Sequence, residues 1–238
     1  MKKMHFIILY WKNSLIGIII QARMGSSRLP GKVLRGIGDK SLLEHILFRL
    51  KRLKSEVKVI IATSDLKKDD EIESFCSQNN INCFRGSESN VMQRYYLCAK
   101  ENNFEHIVRL TGDNPFVGIE ELDALIKLHV ETNTDYSRSF STLPKGIGAE
   151  IFSFDALEKS YKLGKKDNHK EHVNEYIEEN EEQFKISELK VSMEKNRPEL
   201  SLTVDTKDDY EKACYIVENS KNEYISTQEA IGLCLQYV

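Results

Sequence analysis

No CxxC pair occurs among the five cysteines, Cys76, Cys83, Cys98, Cys214 and Cys234, and their number is odd. That pattern excludes a zinc finger and offers no disulfide framework, so they read as ordinary reduced thiols. Proline is scarce, four in 238 residues, and no Pro-rich linker, repeat or low-complexity tract divides the chain. An excess of basic charge is missing too. Lys and Arg number 34 against 37 Asp and Glu, a net charge of −3, so no nucleic-acid partner is expected and cations must be read locally. Long apolar runs are absent as well. "MKKMHFIILYW" starts like a signal peptide, but Lys12 and Asn13 end its short apolar run and no small-residue cleavage site follows. That run is too short for a bilayer. Residues 1–14 are therefore expected to be an N-terminal extension of a cytoplasmic protein without membrane contact.

What is present is an alternation of strand-like and helix-like patterns. "LIGIII" (15–20), "VKVIIAT" (57–63) and "HIVRL" (106–110) are continuously apolar and β-branched, as strands covered on both faces are. "INCF" (81–84) reads as a shorter strand. Helical patterns run from Ser41 to about Lys54, over 68–79, 90–103 and 119–131, and Ser41 with Glu44 forms a capping box. This order predicts a mainly parallel, Rossmann-like sheet sandwiched by helices. Residues 134–155 predict antiparallel strands, 168–180 a helix, and 184–193 and 200–204 two further strands. A helix is expected from Lys207, and Ser226 with Glu229 predicts another capping box for a last helix. The reading is one α/β domain over 15–238 with an inserted β-rich arm near 138–195.

Open parallel sheets bind ligands outside the carboxyl ends of their strands. The first strand ends at Gln21, the second in "ATSD" (62–65), the 106–110 strand in "TGDNP" (111–115) and the late strand in "VDTKDD" (204–209). Four polar clusters thus fall on one edge. The loop after the first strand, "RMGSSRLPGK", combines small residues, whose backbone N–H groups can converge on an anion, with Arg23, Arg28 and Lys32. It is no P-loop: five residues separate Gly25 from Gly31, and Val33 follows Lys32. The GxGxxG pattern is absent too. Asp113 and Asp205 each follow a core strand. Hard carboxylate oxygens suit Mg2+, which bridges phosphate oxygens, although Asp205 or Thr206 is also placed to cap the next helix.

Six segments, "QARMGSSRLPGKVL", "ATSDLKKDDEIESFC", "FRGSESNVMQRYY", "VRLTGDNPFV", "KEHVNEYI" and "LTVDTKDDY", together resemble cytidylyltransferases of the spore-coat polysaccharide type. These are relatives of the enzymes that activate 3-deoxy-manno-octulosonate and N-acylneuraminate. The resemblance runs from about residue 16 to about 218. It implies a nucleotidyltransferase (GT-A-like) fold, CTP as donor, Mg2+ and pyrophosphate as product. Gln21, Ala22, Arg23, Gly25, Ser26, Arg28 and Lys32 fall in the triphosphate loop. Thr63, Ser64 and Asp65 fall near base and ribose, and Arg85, Gly86 and Ser87 in the next base-side loop. Asp113 and Asp205 match the metal aspartates. His172 lies in the "EHV" motif. Lys207, where relatives usually carry proline, and Asn90, where an acid is common, depart from the pattern.

The expected reaction is attack of an acceptor oxyanion, from a sugar acid or a phosphorylated compound, on the α-phosphorus of CTP. Arg23 and Lys32 would hold the leaving phosphates. His172 is either an acceptor contact, a general base or a packed histidine. Glu150 reads as an acceptor-pocket residue or an exposed strand carboxylate, and Arg94 as a site residue or a surface ion pair. The arm is expected to shape the acceptor pocket and, by resemblance, to form a homodimer. Two other readings stand beside this one: a sugar-nucleotide-dependent glycosyltransferase, which would normally show a DxD-type cluster, and a non-catalytic nucleotide-binding module.

Overall fold

The computed structural model describes residues 15–237, so the expected extension at 1–14 lies outside the described residues. In chain order the elements are β1 (Ile16–Gln21), β2 (Gly36–Ile37), β3 (Lys40–Ser41), α1 (Leu42–Leu50), β4 (Lys58–Ser64), α2 (Asp70–Gln78), β5 (Asn82–Gly86), α3 (Val91–Glu101) and β6 (His106–Thr111). Then follow α4 (Ile119–Thr132), β7 (Tyr136–Arg138), β8 (Glu150–Ser153), α5 (Phe154–Leu163), α6 (Asp167–Glu171), α7 (Glu175–Glu178), β9 (Ile186–Glu188), α8 (Lys207–Asn219) and α9 (Thr227–Gln236).

Successive side chains of β1 point to opposite faces of its sheet, and both faces are apolar. Ile16, Ile18 and Ile20 pack with Leu43 and Ile46 of α1 and Leu122, Leu125 and Ile126 of α4. Ile19 packs on the other side with Tyr95 and Cys98 of α3. Gly17 shares that side, where a Cβ would lie 2.0 Å from Cδ2 of Phe104, so the close seat of this ring requires glycine. Seven strands form one sheet in the order β5-β4-β1-β6-β8-β7-β9. The first four run parallel; β8 is antiparallel to both β6 and β7, and β9 runs parallel to β7. Segment 138–195 holds three α-helices and a short 3-10 turn besides β8 and β9, and its strands extend the central sheet.

Local signals account for several helix starts. Ser41 and Glu44 form the expected capping box on α1. Ser226 accepts the Glu229 N–H, but the Glu229 carboxylate turns to Ser220 and Lys221, so only half of the second box forms. The helix expected over 168–180 breaks into α6 and α7 because His172 is extended. The strand expected over 184–193 shrinks to β9. The strand expected at 200–204 does not form; that segment makes one isolated bridge, Lys145 with Ser201. Its backbone is held instead at separate points, Leu202 N–H on the Lys145 carbonyl and Val204 N–H on the Asp113 carbonyl. This last bond carries "VDTKDD" to the end of β6, where the sequence reading places it.

Candidate active site

The parallel arrangement of β1, β4 and β6 puts their carboxyl ends side by side, with Gln21 paired to Ala62 on one flank and Thr111 on the other. The loop leaving β1 closes on itself: Ser26 and Gly31 both donate backbone N–H groups to the Met24 carbonyl, at 2.9 and 3.0 Å. Gly31 makes this turn at φ 68°, a left-handed conformation open to glycine at little cost. The next residue, Lys32, is carried back toward the sheet and is almost fully buried.

There Lys32 Nζ donates to Asp113 Oδ2 at 2.8 Å and to Asp205 Oδ1 at 2.7 Å. Arg28 approaches the same Asp205 oxygen at 3.2 Å. A cleft joins these groups, lined by Gln21, Ala22, Arg23, Gly25, Ser26, Arg28, Lys32, Asp113 and Asp205, together with Thr111 and Gly112. The acids are aimed by their neighbours. Thr111 donates its hydroxyl to Asp113 Oδ1 at 2.6 Å. Thr206, not Asp205, caps α8 in a reciprocal box with Asp209, and the Asp209 carboxylate also accepts the Asp205 N–H. Asp205 is thereby free to face the cleft. Lys207, in the first turn of α8, pairs with Glu211 on the surface.

The residues expected near base and ribose lie next door. Thr63 and Ser64 are buried at the end of β4, and Asp65 is exposed with its N–H on the Gly86 carbonyl. The guanidinium of Arg85 is spent on Asp70, Glu73 and the carbonyls of Ser64 and Leu66. It shapes this edge rather than offering itself to a ligand. Ser87 accepts the Asn90 N–H, and Asn90 caps α3. Arg94 is no surface residue: it is buried and donates Nη1 to the Ser87 carbonyl at 2.7 Å, bracing the loop from beneath.

Two expected residues sit apart. Glu150 is fully buried on β8, ion-paired with Arg109 of β6 and accepting the Tyr136 hydroxyl. No surface is left for an acceptor there, and neither alternative of the sequence reading holds. His172 is exposed at the end of α6 and does not line the cleft.

Sequence reasoning missed Asp69. In "KKDD" it reads as a solvated helix start, yet it is fully buried and accepts the Met24 N–H at 2.7 Å, the Ser64 N–H at 3.3 Å and the Ser64 hydroxyl. Burial alone would raise its pKa; these donors outweigh that and hold it below the ordinary carboxylate range. Lys68, its neighbour, pairs with Glu88, and its ammonium comes within 2.7 Å of where a Gly25 Cβ would stand. A larger residue at position 25 would meet that ammonium.

A metal fits this donor set. Two carboxylates already share one cation, and among the described residues no third His, Cys, Asp or Glu joins them. That leaves positions for water and phosphate oxygens, as a hard divalent cation such as Mg2+ prefers.

Similarity to known proteins extends over most of the chain. A sequence profile described as Cytidylyltransferase matches residues 17–231. The spore coat polysaccharide biosynthesis protein SpsF of Bacillus subtilis is 37% identical over 222 residues, 90% of this chain and 92% of SpsF. A 3-deoxy-manno-octulosonate cytidylyltransferase of Elusimicrobium minutum is 34% identical over 114 residues, 47% of this chain and 44% of its own length. The structure of a cytidylyltransferase from Leptospira borgpetersenii superposes with a TM-score of 0.88 at 34% identity, over 94% of this chain and 95% of that one. These matches favour a nucleotidyltransferase over a glycosyltransferase or a binding module. A cationic loop facing two aspartates, the fold around them and a profile match over most of the length converge, and the chain belongs to the cytidylyltransferase family of nucleotidyltransferase enzymes.

Proposed function

We infer that the protein transfers CMP from CTP to a sugar acid or a phosphorylated acceptor, releasing pyrophosphate, in the making of a surface glycan. The observation that carries this reading is the meeting of Lys32 with Asp113 and Asp205 beneath the loop of Arg23 and Arg28. An acceptor oxyanion, either a phosphate oxygen or a sugar-acid hydroxyl that has given its proton to water, attacks the α-phosphorus in line. The new P–O bond forms as the bond to the β-phosphate oxygen breaks, and pyrophosphate leaves with the electron pair. Chemistry of this kind depends on positioning and charge stabilisation. Arg23 and Lys32 hold the leaving phosphates. Gln21, Ala22, Gly25, Ser26 and Arg28 form the floor on which the triphosphate lies. Thr63, Ser64, Asp65, Gly86 and Ser87 border the base and ribose, with Arg85 and Arg94 fixing that border. Asp113 and Asp205 hold Mg2+, which when bound neutralises phosphate charge.

Kinship with SpsF supports a place in surface-glycan synthesis, and kinship with a 3-deoxy-manno-octulosonate cytidylyltransferase supports an anionic sugar acceptor. Among the described residues no helix is long and apolar enough to cross a membrane. A cytoplasmic homodimer completes the proposal; exposed Phe140, Leu163 and Met193 on segment 138–195 support contact with a second copy there. The test is incubation with each nucleoside triphosphate and Mg2+ across sugar acids and sugar phosphates, reading pyrophosphate. CTP-dependent release with an acidic acceptor is expected. Turnover of UDP- or GDP-sugars with no use of CTP would overturn the reading.

A further inference from the structure

We propose that Lys32 occupies the metal position of the empty enzyme and yields it only when phosphate arrives, so that the divalent cation enters with the nucleotide and not before it. The inference rests on the metal reading of Asp113 and Asp205 given above. One Nζ atom lies within 2.8 Å of an oxygen from each aspartate. Both of those oxygens are therefore engaged by the same ammonium, and the second Asp113 oxygen is engaged by Thr111. A bare dication directed at the pair meets an ammonium already seated between the acids, which excludes it by volume and by like charge. Lys32 is also almost fully buried, so solvent gives its charge little compensation once it leaves the acids.

Another anion must therefore receive it. The cleft supplies the direction: Lys32 shares a wall with Arg23, Gly25, Ser26 and Arg28, the residues that border the triphosphate. A flexible four-carbon stem lets the ammonium turn from the aspartates to a phosphate as a point charge, without a fixed fork to satisfy. Lys32 thus neutralises the two acids in the free enzyme and the leaving phosphates in the loaded one. Its departure uncovers the carboxylate pair at the moment phosphate oxygens come to complete the metal shell.

The test is Mn2+ binding to the nucleotide-free protein, followed by the paramagnetic signal of free Mn2+. Wild type is expected to bind weakly. Lys32→Met is expected to bind at least tenfold more tightly, with the gain lost in Lys32→Met combined with Asp113→Asn. Lys32→Gln, which keeps a donor for one carboxylate, serves where the methionine variant does not fold. Variants that bind Mn2+ no more tightly than wild type overturn the exchange while leaving the metal reading standing. A gain that survives Asp113→Asn overturns both, because the cation is then bound elsewhere.

Discussion

The Asp69 carboxylate accepts the Met24 N–H at 2.7 Å, tying the loop after β1 to the turn after β4 across 45 residues of chain. The same carboxylate binds Ser64, so one buried acid sets the spacing between the loop after β1 and the end of β4. Asp69→Ala leaves buried donors without an acceptor, at a cost of roughly 3 kcal/mol. The expected result is a lower urea midpoint and a KM for CTP raised about tenfold, since the loop loses its anchor as well as its partner. An unchanged KM would show that the loop holds its shape without the tether.

Glu150 provides the opposite case. Its carboxylate is buried against Arg109 and Tyr136, away from the cleft. Glu150→Gln removes one partner of a buried ion pair, for which about 3 kcal/mol of destabilisation is expected. Denaturant unfolding should show that loss while the KM for CTP stays within about twofold. A variant of normal stability that had lost acceptor turnover would instead place the acceptor at this residue.

The fold also carries a pH dependence. His129 is fully buried, with Ser137 Oγ at 2.8 Å from Nδ1 and the His106 ring at 3.2 Å from Nε2. Burial, with a smaller contribution from His106, pushes its pKa down to about 3, from an ordinary value of 6.5. Between those values the unfolded chain binds a proton that the folded one does not. Stability from this group is therefore complete above pH 6.5 and falls as pH drops toward 3, by up to about 1.4 kcal/mol per unit. Urea midpoints measured between pH 7 and pH 4 should decline, and His129→Gln should flatten that decline. Parallel curves for the two proteins would contradict the assignment.

Much of this architecture is legible in residue order. Apolar runs mark β1, β4 and β6, and their polar ends mark one edge, because parallel strands covered on both faces leave little other place for polarity. Lys32, Asp113 and Asp205 are legible for the same reason: each leaves a buried segment at that edge. What is not legible depends on register or on a partner distant in sequence. "LSLTV" alternates like a strand, but its neighbours offer isolated backbone bonds rather than a ladder. Glu150 looks like any strand carboxylate until β8 pairs with β6 and places it opposite Arg109. Asp69 sits in a charged run whose burial appears only when two loops close around it. Asn90 departs from the family pattern and is a helix cap, a local role that an acid also fills.

The most direct measurement is kcat/KM for CMP transfer from CTP by Asp113→Asn and Asp205→Asn, each checked for an unaltered circular dichroism spectrum. Both variants keep their side-chain volume and lose the charge that meets Lys32. The account predicts a fall of about a hundredfold or more in each, on the order of 3 kcal/mol of lost transition-state stabilisation. Folded variants that retain full activity would contradict it, because the carboxylate pair facing Lys32 would then have no part in the chemistry.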